Sequence, residues 1–139
     1  MPVAVADAFA EPLAESELVQ QQSLVERFLA GLRLGEPKKL LDVLDPAFDV
    51  HADAAAAPGG VPSELVGAEA WAKRAVEAVR GARLARLAMV EGSVGLIGAP
   101  RGRLFRVLQF TFANGLIAGT QVIGNPERQR QIDVGALGG

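Results

Sequence analysis

The chain has no cysteine and no tyrosine, a single histidine and a single tryptophan among its 139 residues. Without cysteine there is no disulfide framework and no thiol chemistry, and a reducing compartment is compatible with that. One histidine and scattered aspartates make no metal-ligand spacing, so no metal is expected, and no motif calls for a cofactor. No apolar run approaches the roughly 20 residues of a membrane span. The start, MPVAVADAFAEPLAESE, lacks the basic head and long apolar stretch of a secretory signal, so a cytoplasmic protein is expected. Aromatics are also scarce, with six Phe and one Trp, and none sits in an aromatic–basic nucleic-acid motif. Direct nucleic-acid binding is therefore not expected.

What is present is enough for one domain. Half the residues are apolar, which suffices for a core at this length. The net charge of −2 conceals an asymmetry. Residues 1–70 hold twelve acids and four bases, whereas residues 71–139 hold four acids and ten bases. Six arginines fall between Arg80 and Arg106. They suit a solvated sheet face or pairing with the acidic half, and alternatively a basic surface for an acidic partner.

The pattern divides the chain into a tail over 1–15, one folded unit over 16–126 and a second tail over 127–139. Leu24, Val25, Phe28, Leu29 and Leu32 recur at helical spacing, and Gly35 with Pro37 ends that helix. A short helix follows over 37–44. Phe48 to Asp53 alternates, with Asp49, His51 and Asp53 on one side, and reads as a strand. The Pro- and Gly-containing run after Asp53 reads as a loop, and 66–79 as a third helix with Trp71 on its inner face. From Arg83 the period becomes two, giving strands near 83–91, 93–99, 102–113 and 115–124. Asn114-Gly115 is a strong hairpin signal, since both residues tolerate positive φ. Helices first and a meander last predict an α+β domain in which a curved antiparallel sheet wraps around the N-terminal helices. Leu104, Leu108, Phe110 and Phe112, set against arginines 101, 103 and 106, raise the prospect of a homodimer through a sheet face.

This order of elements resembles the SnoaL-like, nuclear-transport-factor-type cone fold. Three stretches carry a narrower likeness: VERFLAGLRLGEPKKLLDVLDPAFDVHADAAAAPGG, APRGRLFRVLQFTFANGLIAG and VIGNPERQRQID. They resemble the C-terminal extension of extracytoplasmic-function RNA polymerase sigma factors over about Leu24 to Leu137. The ordered set is Asp45-Pro46, His51-Ala52-Asp53, Pro58-Gly59-Gly60, Arg101-Gly102-Arg103 and Asn125-Pro126-Glu127-Arg128. The resemblance implies regulation of transcription initiation through contact with sigma-factor core domains or RNA polymerase. It also implies that Asn125, Pro126, Glu127 and Arg128 belong to the regulatory contact. Ahead of residue 24 there is neither a helix-turn-helix nor an aromatic-rich promoter-melting segment. The chain is then a C-terminal piece of a sigma factor or a stand-alone relative.

The cone fold implies a pocket rather than an activity. Trp71, Phe105, Gln109, Thr111, Thr120 and Gln121 are the expected lining, suited to a small apolar ligand. Trp71 can serve there as core, as pocket wall or as a ligand platform. Related isomerases carry a catalytic carboxylate near the end of the first strand, and an ungapped comparison from the second helix puts Ala52 at that place. Between residues 82 and 124 the only acid is Glu91. Catalysis is therefore not expected. The alternative is a small isomerase, cyclase or hydrolase acting on a hydrophobic substrate with His51 and Asp53 as an acid–base pair; the same two residues can equally form a half-exposed structural pair at the rim.

Overall fold

The computed structural model describes residues 14–57, 59–75, 83, 85–98 and 106–136. The expected tail over 1–15, Phe105 and parts of the third helix and third meander strand lie wholly or largely outside that set.

Helix α1 (Glu15–Leu34) buries the expected stripe of Leu24, Val25, Phe28, Leu29 and Leu32 and ends on Gly35 in the left-handed conformation. Two acids in its first turn and Arg33 in its last complement the helix dipole. Helix α2 (Pro37–Leu41) starts on the proline, whose missing N–H costs nothing at a first turn, and buries Leu40. Helix α3 spans Ala68–Ala75 and buries Ala68, Ala72 and Ala75.

Among the described residues seven strands form one sheet in the order β2-β1-β6-β5-β4-β3-β7. Strands β3 (Ala85–Val90), β4 (Ser93–Gly98), β5 (Arg106–Ala113) and β6 (Leu116–Ile123) form the predicted antiparallel meander. Asn114 and Gly115 make its last turn, with φ of 54° and 75°. Strand β1 (Leu44–Ala52) joins this meander by running parallel to β6. That strand begins earlier than Phe48. Its register slips between Leu44 and Asp49, around Pro46, which has no N–H to give to a ladder, and Ala47 donates instead to the Asp45 side chain.

Three elements were not foreseen. Residues Ser63–Val66, read as loop and helix start, form β2, which pairs antiparallel with Asp49 to Ala52. Residues assigned to a C-terminal tail form helix α4 (Pro126–Gln131) and β7 (Val134–Gly135), the latter paired with β3. All three are too short for periodicity to reveal, and α4 and β7 are held by partners distant in sequence.

The main core lies between the sheet's inner face and the first three helices. Phe28 stacks on Trp71 at 5.3 Å, Phe48 meets Trp71 edge-on at 5.2 Å, and Phe110 meets Phe28 edge-on at 5.1 Å. Phe28 and Phe48 are fully buried. Such offset and edge-on pairs add to the large apolar area these rings remove from water. A smaller cluster of Val90, Val107 and Ile123, with Ile97 and Ile132 against it, sits on the opposite face. Among the described residues no helix is long and apolar enough to cross a membrane.

Candidate functional site

At the end of β1 the outer face carries Asp49, His51 and then Asp53. Parallel pairing places His51 beside Gln121 of β6, and antiparallel pairing places it beside Glu64 of β2. Helix α4 returns to the same place after Ile123. The result is an open cleft of about 420 Å³ lined by His51, Ala52, Asp53, Pro62, Ser63, Glu64, Gln121 and Arg128.

Asp53 is the organising group of this cleft. Its side chain is only 12 % exposed. One carboxylate oxygen accepts the backbone N–H of Ala56, both accept that of Gly124, and Oδ2 accepts that of Asn125. Arg128 Nη1 stands 3.5 Å from Oδ2. Burial pushes the Asp53 pKa up, but the N–H groups of Asn125, Gly124 and Ala56, helped by Arg128, outweigh it and hold the carboxyl below its ordinary value. A general base needs the opposite tuning.

Asn125 then caps α4. Its side-chain oxygen accepts the N–H groups of Glu127 and Arg128, and Pro126 occupies the first helical position. Gln129, buried beneath, donates to the Ile123 carbonyl. Arg128 also donates to Gln121 across the cleft at 3.4 Å. Thus the segment Asn125, Pro126, Glu127 and Arg128 follows the end of β6 as a capped helix start.

The expected His51–Asp53 pair is not formed. His51 Nε2 lies 3.2 Å from Asp49 Oδ2, and Nδ1 lies 3.1 Å from Glu64 Oε2. The reason is local: Asp53 follows the last paired residue of β1, where the chain turns, and its carboxylate is drawn to the N–H groups of residues 56, 124 and 125. Asp49 shares the strand face and was available by alternation alone. Glu64 could not be found without β2. The remaining sheet acid, Glu91, is structural: its backbone N–H donates to the Asp133 carbonyl and its carboxylate accepts the Asp133 N–H.

The expected pocket residues divide between the two faces of the sheet. Trp71 is half-buried and packs within the main core, and Thr120, buried beside Phe110 in register, donates to the Gln109 carbonyl. Gln109, Thr111 and Gln121 lie on the other face, since Gln109 and Gln121 are paired one residue out of step with Phe110 and Thr120. Of the described members of the set, Gln121 lines the cleft. Leu108, Phe110 and Phe112, offered as part of a pairing surface, instead pack into the main core. Among the described residues no cluster of three or more His, Cys, Asp or Glu side chains could hold a metal ion.

Comparison with family models finds no match, and comparison with curated proteins finds none either. Solved structures do match. The extracytoplasmic-function sigma factor SigJ of Mycobacterium tuberculosis superposes with a TM-score of 0.63 at 20 % identity, over 78 % of this chain and 43 % of that one. The chain therefore corresponds to less than half of that sigma factor. A de novo designed protein with a curved β-sheet gives 0.57 at 14 % identity, over 86 % of this chain and 93 % of that one. An NTF2-like protein of unknown function from Cytophaga hutchinsonii gives 0.52 at 14 % identity, over 79 % and 94 %. The chain has the SnoaL-like, NTF2-like α+β cone fold.

Proposed function

We propose that the chain is a non-catalytic regulatory module of the cytoplasm, acting by protein contact on the promoter-binding core of an extracytoplasmic-function sigma factor or on its RNA polymerase. The observation that carries this reading is the Asp53 carboxylate. It ties the turn after β1 to Gly124, Asn125 and Arg128, so two segments that resemble sigma-factor sequences become one surface. The fold likeness to a sigma factor agrees with it.

An acid–base role on a hydrophobic substrate is less well supported. Asp53 turns its carboxylate oxygens to backbone N–H groups, and the open cleft beside it mixes the polar side chains of His51, Ser63, Glu64, Gln121 and Arg128 with Ala52 and Pro62.

Run-off transcription with RNA polymerase and the promoter-binding sigma domains encoded in the same or a neighbouring gene tests the proposal. The chain should bind those domains and change the transcript yield. Arg128→Glu should weaken binding at least about tenfold, the effect of a lost contact worth about 1.4 kcal/mol. Unchanged transcription with no detectable binding would overturn it.

A further inference from the structure

His51 is the one side chain in the cleft with a carboxylate against each of its two titratable atoms. Nε2 hydrogen-bonds Asp49 Oδ2 at 3.2 Å, on its own strand; Nδ1 stands 3.1 Å from Glu64 Oε2, on β2. A neutral imidazole carries one N–H and one lone pair, whereas imidazolium carries two N–H groups. If the neutral ring donates through Nε2 to Asp49, its Nδ1 lone pair faces an anionic oxygen. Only imidazolium makes both contacts attractive.

The Asp49 side of this arrangement is built. Asp49 pairs in register with Gly119 of β6, and its carboxylate lies over that glycine, where a methyl group would overlap Oδ1. No side chain at 119 competes for the space, so the carboxylate is free to rest on β6 and point along the strand face to His51. The Glu64 side is the movable one. Strand β2 is four residues long, stands at the end of the sheet order, ends on the exposed Val66 and is preceded by the exposed Val61. The other groups facing the ring are Gln121 of β6, paired in register with it, and the Asp53–Arg128 ion pair, whose charges offset one another at 3.5 Å.

We propose that His51 is a proton-operated latch for the edge strand β2. Doubly protonated, the ring joins Asp49 to Glu64 and holds β2 against β1. With one proton lost it keeps Asp49 and releases Glu64, and the β2 wall of the cleft, Ser63 and Glu64, loosens. The edge of β1 that β2 covers then becomes available when the ring gives up its proton. No bond is made or broken beyond the proton exchanged with water.

Amide hydrogen exchange of the full chain at about pH 5.5 and about pH 8 tests this, each rate corrected for the intrinsic pH dependence of exchange. The Phe110 and Thr120 amides of the central strands serve as the internal reference. The protection of Ser63 to Val66 relative to that reference should fall about two- to fivefold at the higher pH, the range for an exposed ion pair. In His51→Gln and in Glu64→Gln the fall should vanish. Equal relative protection of β2 at the two pH values, or a fall of the same size in His51→Gln, would overturn the latch.

Discussion

The carboxylate of Asp53 and the backbone N–H of Asn125, 72 residues apart in sequence, are hydrogen-bonded at 3.1 Å. Asn125 in turn caps the helix from which Arg128 reaches back to Asp53. The loop is closed: Asp53 fixes the start of α4, and α4 supplies the cation that balances Asp53. Asp53→Ala would leave the N–H groups of Gly124 and Asn125 without their acceptor in a half-buried place. The expected loss is about 2–3 kcal/mol, as for a buried donor left unpaired. Asp53→Asn keeps one acceptor oxygen and should cost less. Urea unfolding of the two variants checks both; a loss below about 0.5 kcal/mol in Asp53→Ala would show that the clamp contributes little.

The same carboxylate gives acid lability a direction. Its folded pKa lies below the ordinary 3.8 because backbone N–H donors and Arg128 outweigh burial. The folded state then binds protons less readily than the unfolded state. This contribution is fully present above the unfolded value and is lost as pH falls from there through the folded one. Between neutral pH and the unfolded value, Asp53 adds no pH dependence. Wild type should therefore lose stability against Asp53→Asn only below about pH 4. Thermal melts at a series of acidic pH values would expose a parallel decline of both proteins as the contrary result.

Asn125→Ala removes the oxygen that accepts from Glu127 and Arg128. Losing such a cap costs about 1 kcal/mol. Helix α4 is six residues long and cannot persist unaided, so the cost should appear locally. Amides of residues 127–131 should exchange faster while those of β5 and β6 are unchanged. Asn125→Asp keeps the acceptor and should restore protection, which separates capping from mere bulk.

The sequence yielded the strong periodicities. Leu24, Val25, Phe28, Leu29 and Leu32 mark α1 because a long helix repeats its buried face several times. The hairpin at Asn114-Gly115 was legible because two positive-φ residues in succession have few other uses. The meander had four strands of alternation. Strand β2, helix α4 and β7 were not legible, since four, six and two residues carry no period, and the partners of α4 and β7 are distant. The site followed the same division. His51, Asp53 and the segment from Asn125 to Arg128 were singled out separately, but their meeting depends on β1 running parallel to β6. Alternation made Asp53 as good a partner for His51 as Asp49. What separates them is that Asp49 sits inside the ladder over Gly119, whereas Asp53 stands just past it, within reach of free backbone N–H groups.

Gly119 has an assignable role at this meeting point. It pairs with Thr111 on one side and Asp49 on the other, and its missing side chain is the space the Asp49 carboxylate uses. Gly119→Ala should displace the half-exposed Asp49 carboxylate toward solvent, at a cost of no more than about 1 kcal/mol. Asp49→Ala removes the clashing carboxylate, so the double variant should recover part of that loss. Additive losses in urea unfolding would mean that Asp49 is not what the methyl meets.

Trp71 separates a core residue from a ligand platform. Its ring is stacked on Phe28 and edge-on to Phe48, both fully buried. Trp71→Ala would forfeit those contacts, at a cost of about 3 kcal/mol, the lower end of the range for a buried ring because Trp71 is half-buried. Trp71→Phe keeps a ring and should lose under half as much. Because Trp71 is the only tryptophan, intrinsic fluorescence reports on this place alone. Its emission should be blue-shifted in the folded protein and should move red in one step that coincides with the loss of helical circular dichroism. A ligand platform would behave differently: Trp71→Ala would leave the unfolding midpoint nearly unchanged, and the emission would respond to added apolar compounds at constant fold.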